Sequence, residues 1–113
     1  MKVKLKKKPR VFYPTNDVKI KNYGCIEFNN GDQIYLKIKN FYNEITRQNW
    51  GFYLTSSCNS TLRKRGFKTA IVKSKLGKKK KIFIKIVLKN KIREFNKYLK
   101  QNKLEVISWL DKK

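Results

Sequence analysis

Residues 81–101 read KIFIKIVLKNKIREFNKYLKQ, and the apolar period changes halfway along this stretch. In Lys81–Leu88 the residues Ile82, Ile84, Ile86 and Leu88 alternate, which places them on one face of a strand with Phe83 and Val87 on the other. From Lys91 to Gln101 the residues Ile92, Phe95 and Leu99 recur at helical spacing, Tyr98 lies beside them, and Arg93, Lys97 and Lys100 occupy the rest of the cylinder. Asn90 stands where a helix cap belongs. A strand running straight into an amphipathic helix predicts an α+β domain, and apolar side chains on both faces of the strand predict a central place in its sheet.

Working upstream, a lysine-rich loop containing Gly77 joins this strand to another over Thr69–Lys73. Before it, Thr55-Ser56-Ser57 can cap a short helix over residues 59–65, which Gly66 ends in a left-handed conformation. Asn49-Trp50-Gly-Phe-Tyr-Leu54 is an aromatic strand bounded by polar residues, preceded by a polar connection.

The strongest turn signal is Asn29-Asn30-Gly31 between Cys25–Phe28 and Asp32–Ile38, which predicts a hairpin. A three-residue loop pairing Ile26 with Ile34 and Phe28 with Asp32 puts Ile26, Phe28, Ile34, Leu36 and Ile38 on one side, with Glu27, Tyr35 and Lys37 outward. Val11–Tyr13 and Val18–Ile20, around Pro14 and Thr15-Asn16-Asp17, read as edge-strand pieces. Residues 1–10, with only Val3 and Leu5 among cations and Pro9 against a helix, read as a flexible basic arm.

Downstream, Leu104–Leu110 is a last strand and residues 112–113 a tail. The expected architecture is a single domain over residues 11–111: a small antiparallel or mixed sheet of about five to seven strands, one main helix near 91–101 and one short helix near 59–65.

The chain has 113 residues, 30 of them Lys or Arg against 7 Asp or Glu, for a net charge of +23. Its hydrophobic fraction of 40% is high enough for a core, so the charge does not imply disorder. An AT-rich coding sequence would raise Lys over Arg, but it would raise Glu as well, and only Glu27, Glu44, Glu94 and Glu105 are present. The surplus asks for a polyanionic partner. The composition is similar to that of small ribosomal proteins, which makes ribosome association an expectation.

Three basic segments are the candidate nucleic-acid contacts: Lys6, Lys7, Lys8 and Arg10 in the arm; Arg63, Lys64, Arg65 and Lys68 around the short helix; and Lys75, Lys78, Lys79, Lys80 and Lys81 at a hairpin tip. Lys heads neutralise phosphate without reading sequence, and the guanidinium groups add bidentate contacts. Unpaired bases can stack on exposed rings, for which Tyr35, Tyr42 and Tyr53 are the candidates, and this favours RNA over duplex DNA. DNA, an acidic protein, or an anionic membrane or glycan surface are the alternative partners.

Catalysis is not expected, because there is no His, no pair of neighbouring carboxylates, and no glycine string to cradle phosphate. Cys58-Asn-Ser-Thr-Leu-Arg63 is one residue short of a cysteine-phosphatase loop. Arg65-Gly-Phe-Lys-Thr-Ala-Ile-Val72 begins like an RNA-recognition motif but lacks its later aromatics. No cofactor is implied, and Cys25 and Cys58 without a CxxC pair supply no zinc ligand set. Free thiols and the absence of a long apolar run point to a cytoplasmic setting.

Overall fold

The computed structural model describes residues 1–78 and 80–112. The fold is α+β, as the change of period over residues 81–101 predicts, but its eight strands divide among three antiparallel sheets where a single sheet was expected. The first is a ribbon of β1 (Lys2–Thr15) and β2 (Val18–Glu27). The second is β3 (Gln33–Ile38), β4 (Phe41–Gln48) and β5 (Gly51–Leu54) in that order. After a short helix α1 (Thr61–Lys64), the third sheet has the order β7-β6-β8, with β6 (Phe67–Ser74) between β7 (Ile82–Leu88) and β8 (Leu104–Trp109). The main helix α2 (Ile92–Gln101) packs on this sheet.

The core follows the helical spacing of Phe95 and Leu99. Ala70, Val72 and Leu99 are buried together, with Phe95, Tyr98, Leu104, Val106 and Trp109 packed around them. Phe83 and Val87 pair with Val72 and Lys68, so they share the face that α2 covers. The Ile82/Ile84 face does not reach a core: these side chains are 61% and 68% exposed. Because β8 occupies the other side of β6, β7 is an edge strand, not a central one. Asn90 caps nothing. It lies inside a 3₁₀ turn, Lys89–Lys91, whose first amide donates to the Gly66 carbonyl at 2.8 Å.

The Asn30-Gly31 segment is a junction between sheets, not a hairpin. The Asn29 amide donates to the Asp32 carboxylate at 2.7 Å, Asp32 N–H returns to the Asn29 carbonyl at 3.0 Å, and Gly31 N–H donates to the Arg47 carbonyl at 2.9 Å. These bonds turn the chain so that β2 pairs with β1 and β3 pairs with β4. The true hairpin lies in what reads as a polar connection. Ile38 faces Phe41 across the two-residue turn Lys39-Asn40, with Lys39 at φ 53° supplying the conformation a tight hairpin needs.

The basic arm is likewise strand. Val3 faces Ile26, and Phe12 faces Ile20, so the sparse apolar residues of β1 are matched by those of β2. Between Leu5/Gly24 and Arg10/Asn22, the segment Lys6-Lys7-Lys8-Pro9 lies opposite Tyr23 alone. Pro9 has no amide to give to a ladder, and three adjacent cations repel, so this stretch bulges. The pairing resumes at Gly24, φ 129°, where any Cβ would run into the Lys4 carbonyl.

The ribbon is almost wholly exposed, and it accounts for an open shape. The accessible surface is 9103 Å², against about 6,600 Å² for a compact chain of this length. The radius of gyration is 15.8 Å, against about 13 Å for a compact one. A two-stranded ribbon is marginal by itself in water, and its turn is tied down: the Thr15 hydroxyl is 3.1 Å from Asn102 Oδ1, and Asn102 Nδ2 donates to Asp17 at 3.1 Å.

Candidate nucleic-acid interface

The cations divide into those used by the fold and those left free. Arg65 belongs to the first class. Its guanidinium donates to both Glu44 oxygens, at 3.1 and 3.0 Å, and to the Ser56 hydroxyl at 2.9 Å, and it lies 4.2 Å from the Tyr42 ring centre. Lys68 is also engaged, 3.5 Å from Asp111 and 4.5 Å from the Trp109 ring centre. Each has a carboxylate and a ring already in place. Lys73 pairs with Glu105 at 2.9 Å, which holds the Glu105 carboxyl below its ordinary value through that hydrogen bond.

The Arg65 cluster fixes the second sheet to α1 and makes a pH prediction. The hydrogen bond from Arg65, reinforced by Ser56, lowers the Glu44 pKa below its ordinary 4.5. A folded-state pKa below the unfolded one contributes stability that is present above the ordinary value and lost as pH falls through the folded value. Melting temperature is therefore expected to fall as the solution is acidified below about pH 4.5. Glu44→Gln should flatten part of that acid limb while lowering the melting temperature at pH 7; thermal scans from pH 7 to 3 on both proteins check it.

Lys6, Lys7 and Lys8 are exposed in the β1 bulge and make no ion pair among the described residues. Arg10 is exposed too, over the Phe12 ring at 4.5 Å. Arg63 and Lys64 project from α1, where they border an open depression of ≈ 390 Å³ with Asn59, Ser60 and Lys89. Here Ser57, not the residue before the helix, supplies the cap: its hydroxyl accepts the Thr61 amide at 3.1 Å. Lys75, Lys78, Lys80 and Lys81 lie exposed on the loop between β6 and β7. Lys79, a fifth candidate of that loop, falls outside the described residues.

These groups are not gathered at one place. Arg63 and Lys64 precede the first residue of β6 and the Lys75–Lys81 loop follows its last; eight residues of strand separate them, roughly 25 Å. The loop instead neighbours the ribbon turn, because Lys75 N–H donates to the Lys103 carbonyl at 2.8 Å, and Asn102 beside it holds Thr15 and Asp17.

Among the stacking candidates, Tyr35 is exposed, with its ring edge-on to Tyr42 at 5.5 Å. Tyr42 is covered by Arg65, and Tyr53 by Trp50, whose indole stacks on it at 5.4 Å and 23°. Trp50 is the ring the sequence reading passed over: it occupies the two-residue turn between β4 and β5 and is 73% exposed. Its place between Asn49 and Gly51 was the available signal. Phe52, on the adjoining strand and also exposed, borders a cavity of ≈ 630 Å³ together with Lys2, Lys4 and Arg47.

Among the described residues no three His, Cys, Asp or Glu gather as a metal site, and no helix is long and apolar enough to cross a membrane. Set against family models, curated proteins and solved structures, the chain matches none.

Proposed function

We propose that this protein is a non-catalytic binder of single-stranded RNA, acting in the cytoplasm and associated with ribosomes or similar RNA-rich particles. The observation that carries the reading is the asymmetry of charge use. Four of the seven carboxylates go to Arg65, Lys68, Lys73 and Lys91 and a fifth, Asp32, to the amino terminus, while Lys6, Lys7, Lys8, Arg63 and Lys64 stand in solvent with no ion pair among the described residues. Free cations on an open, ribbon-bearing surface attract a phosphate chain by counterion release, and the exposed Trp50 and Tyr35 rings give unpaired bases something to stack on.

A second reading rests on the ribbon itself. Two-stranded ribbons enter the major groove of B-DNA, and β1–β2 carries its cations outward. Titration of nuclease-treated protein with single-stranded RNA, duplex DNA and heparin at several salt concentrations separates the two. Preference for RNA near physiological salt is the expected result. Preference for the duplex favours the ribbon reading, and equal binding that vanishes for all three ligands with rising salt overturns both in favour of an acidic protein or an anionic surface.

A further inference from the structure

The outer edge of β7 is bare backbone. Ser74 N–H donates to the Lys81 carbonyl at 2.9 Å and Lys89 N–H to the Gly66 carbonyl at 2.8 Å, which fixes the phase of the antiparallel ladder between β6 and β7. Hydrogen-bonded pairs alternate with non-bonded ones in such a ladder, so residues 81, 83, 85, 87 and 89 bond to β6. Ile82, Ile84 and Ile86 turn their N–H and C=O groups the other way, where β7 has no neighbouring strand. None of these groups has a partner among the described residues. Sheets commonly blunt such an edge with a proline, a bulge or a charge. Here the pairing with β6 runs unbroken from Ile82 to Leu88, and the side chains beside the open amides are exposed isoleucines.

The edge also has walls. A groove of ≈ 440 Å³ runs along it, with Ile38 of β3 on the isoleucine side and Phe95 and Tyr98 of α2 on the other. Lys91 and Glu94 both line this groove and answer each other at 3.9 Å. Lys85 has no such answer: its ammonium donates to the Tyr98 hydroxyl at 3.2 Å and pairs with no carboxylate among the described residues. The groove therefore keeps one positive charge, and Lys81 adds another where β7 begins. A second copy of the chain is a poor occupant, because it brings a further +23. Pairing β7 with itself about Ile84 would also set the two Lys85 side chains diagonally across the new strand pair.

We infer that the β7 edge takes an extended, acidic segment of a partner protein, added to the third sheet as an antiparallel fourth strand. Main-chain hydrogen bonds to Ile82, Ile84 and Ile86 supply the register, as in other strand-addition complexes. Apolar residues opposite those isoleucines share their face and cover it beside Ile38. A residue opposite Lys85 falls at a non-hydrogen-bonded position, where facing side chains approach most closely, and a carboxylate there completes the ammonium. The inference stands apart from the RNA reading, since it uses none of the cations on which that reading rests.

The test is anisotropy titration, at physiological salt, of three labelled synthetic peptides: valine alternating with glutamate, the same peptide N-methylated at its valines, and valine alternating with lysine. The first is expected to bind about tenfold more tightly than the N-methylated one, which has the same charge but has lost the amides that face β7. The lysine peptide should not bind. Ile84→Pro removes an outward amide without touching the ladder to β6 and should weaken the first peptide by a similar factor. Should that variant fail to fold, Ile84→Glu, a change at an exposed side chain, is expected to give the same loss through repulsion. Equal binding of the first two peptides, unchanged by Ile84→Glu, would mean attraction by charge alone and overturns the strand-addition site. So does a concentration-dependent dimer that Ile84→Glu dissolves, which would give the edge to a second copy. Neither result alters the RNA titrations.

Discussion

Replacing Lys6, Lys7 and Lys8 together with Gln is expected to weaken RNA binding on the order of 100-fold at moderate salt. It should also reduce the slope of log affinity against log salt by about 2, at roughly 0.7 per single-strand phosphate contact. These three side chains are singled out because the β1 bulge holds them adjacent and exposed, opposite Tyr23 alone and with no ion pair among the described residues. Removing them takes away no contact on which the fold rests, so the melting temperature should hold or rise as repulsion is relieved. The contrast is Lys68→Gln: its ammonium is engaged by Asp111 and Trp109, so the salt slope should stay where it is. Fluorescence anisotropy titrations over a salt series on the three proteins give the slopes, and an unaltered slope in the triple variant would remove the bulge from the interface.

The second large effect is on stability. Leu62→Ala is expected to cost about 3 kcal/mol, within the range for emptying a fully enclosed Leu site. Leu62 is completely buried, although the helix that carries it is only four residues long. So short a helix has no stability of its own. It is held by the Ser57 hydroxyl at one end, by the Leu62 side chain beneath, and by Gly66, φ 92°, which turns the chain into β6. Urea unfolding should show a lower midpoint with an unchanged slope, and thermal melting should drop by roughly 10 °C. A loss below about 1 kcal/mol would mean that the α1 site collapses around the smaller side chain.

What was legible in the residues, and what was not, follows from the range of the forces involved. The strand-to-helix change at residues 81–101, the Gly66 stop and the last strand at Leu104 depend on neighbours within a few positions, and they stand where the spacing puts them. Which strand pairs with which does not. Asn30-Gly31 carries the stronger turn chemistry, yet Lys39-Asn40 makes the hairpin, because Asp32 and Arg47 bind the first segment into a junction. The Lys-rich start hid a strand whose partners, Ile20 and Ile26, lie well down the chain.

The site divides in the same way. The Lys6–Lys8 run and the Lys75–Lys81 loop were visible as charge alone. Arg65 looked equally free until Glu44, 21 residues earlier in the chain, came to lie against it. Exposure of the Ile82/Ile84 face was not legible either, since alternation reports a shared face and not what covers it.

The clasp at Asn102 bears on the order in which the molecule is made. Thr15 and Asp17 reach across 87 and 85 positions of chain to a residue at the end of α2. During synthesis the ribbon emerges before α2, and at about 5–20 residues per second it must wait several seconds until its distant anchor is translated. The ribbon thus leaves the tunnel well before it can be secured, and a cationic strand pair spends that interval beside whatever polyanion is close at hand.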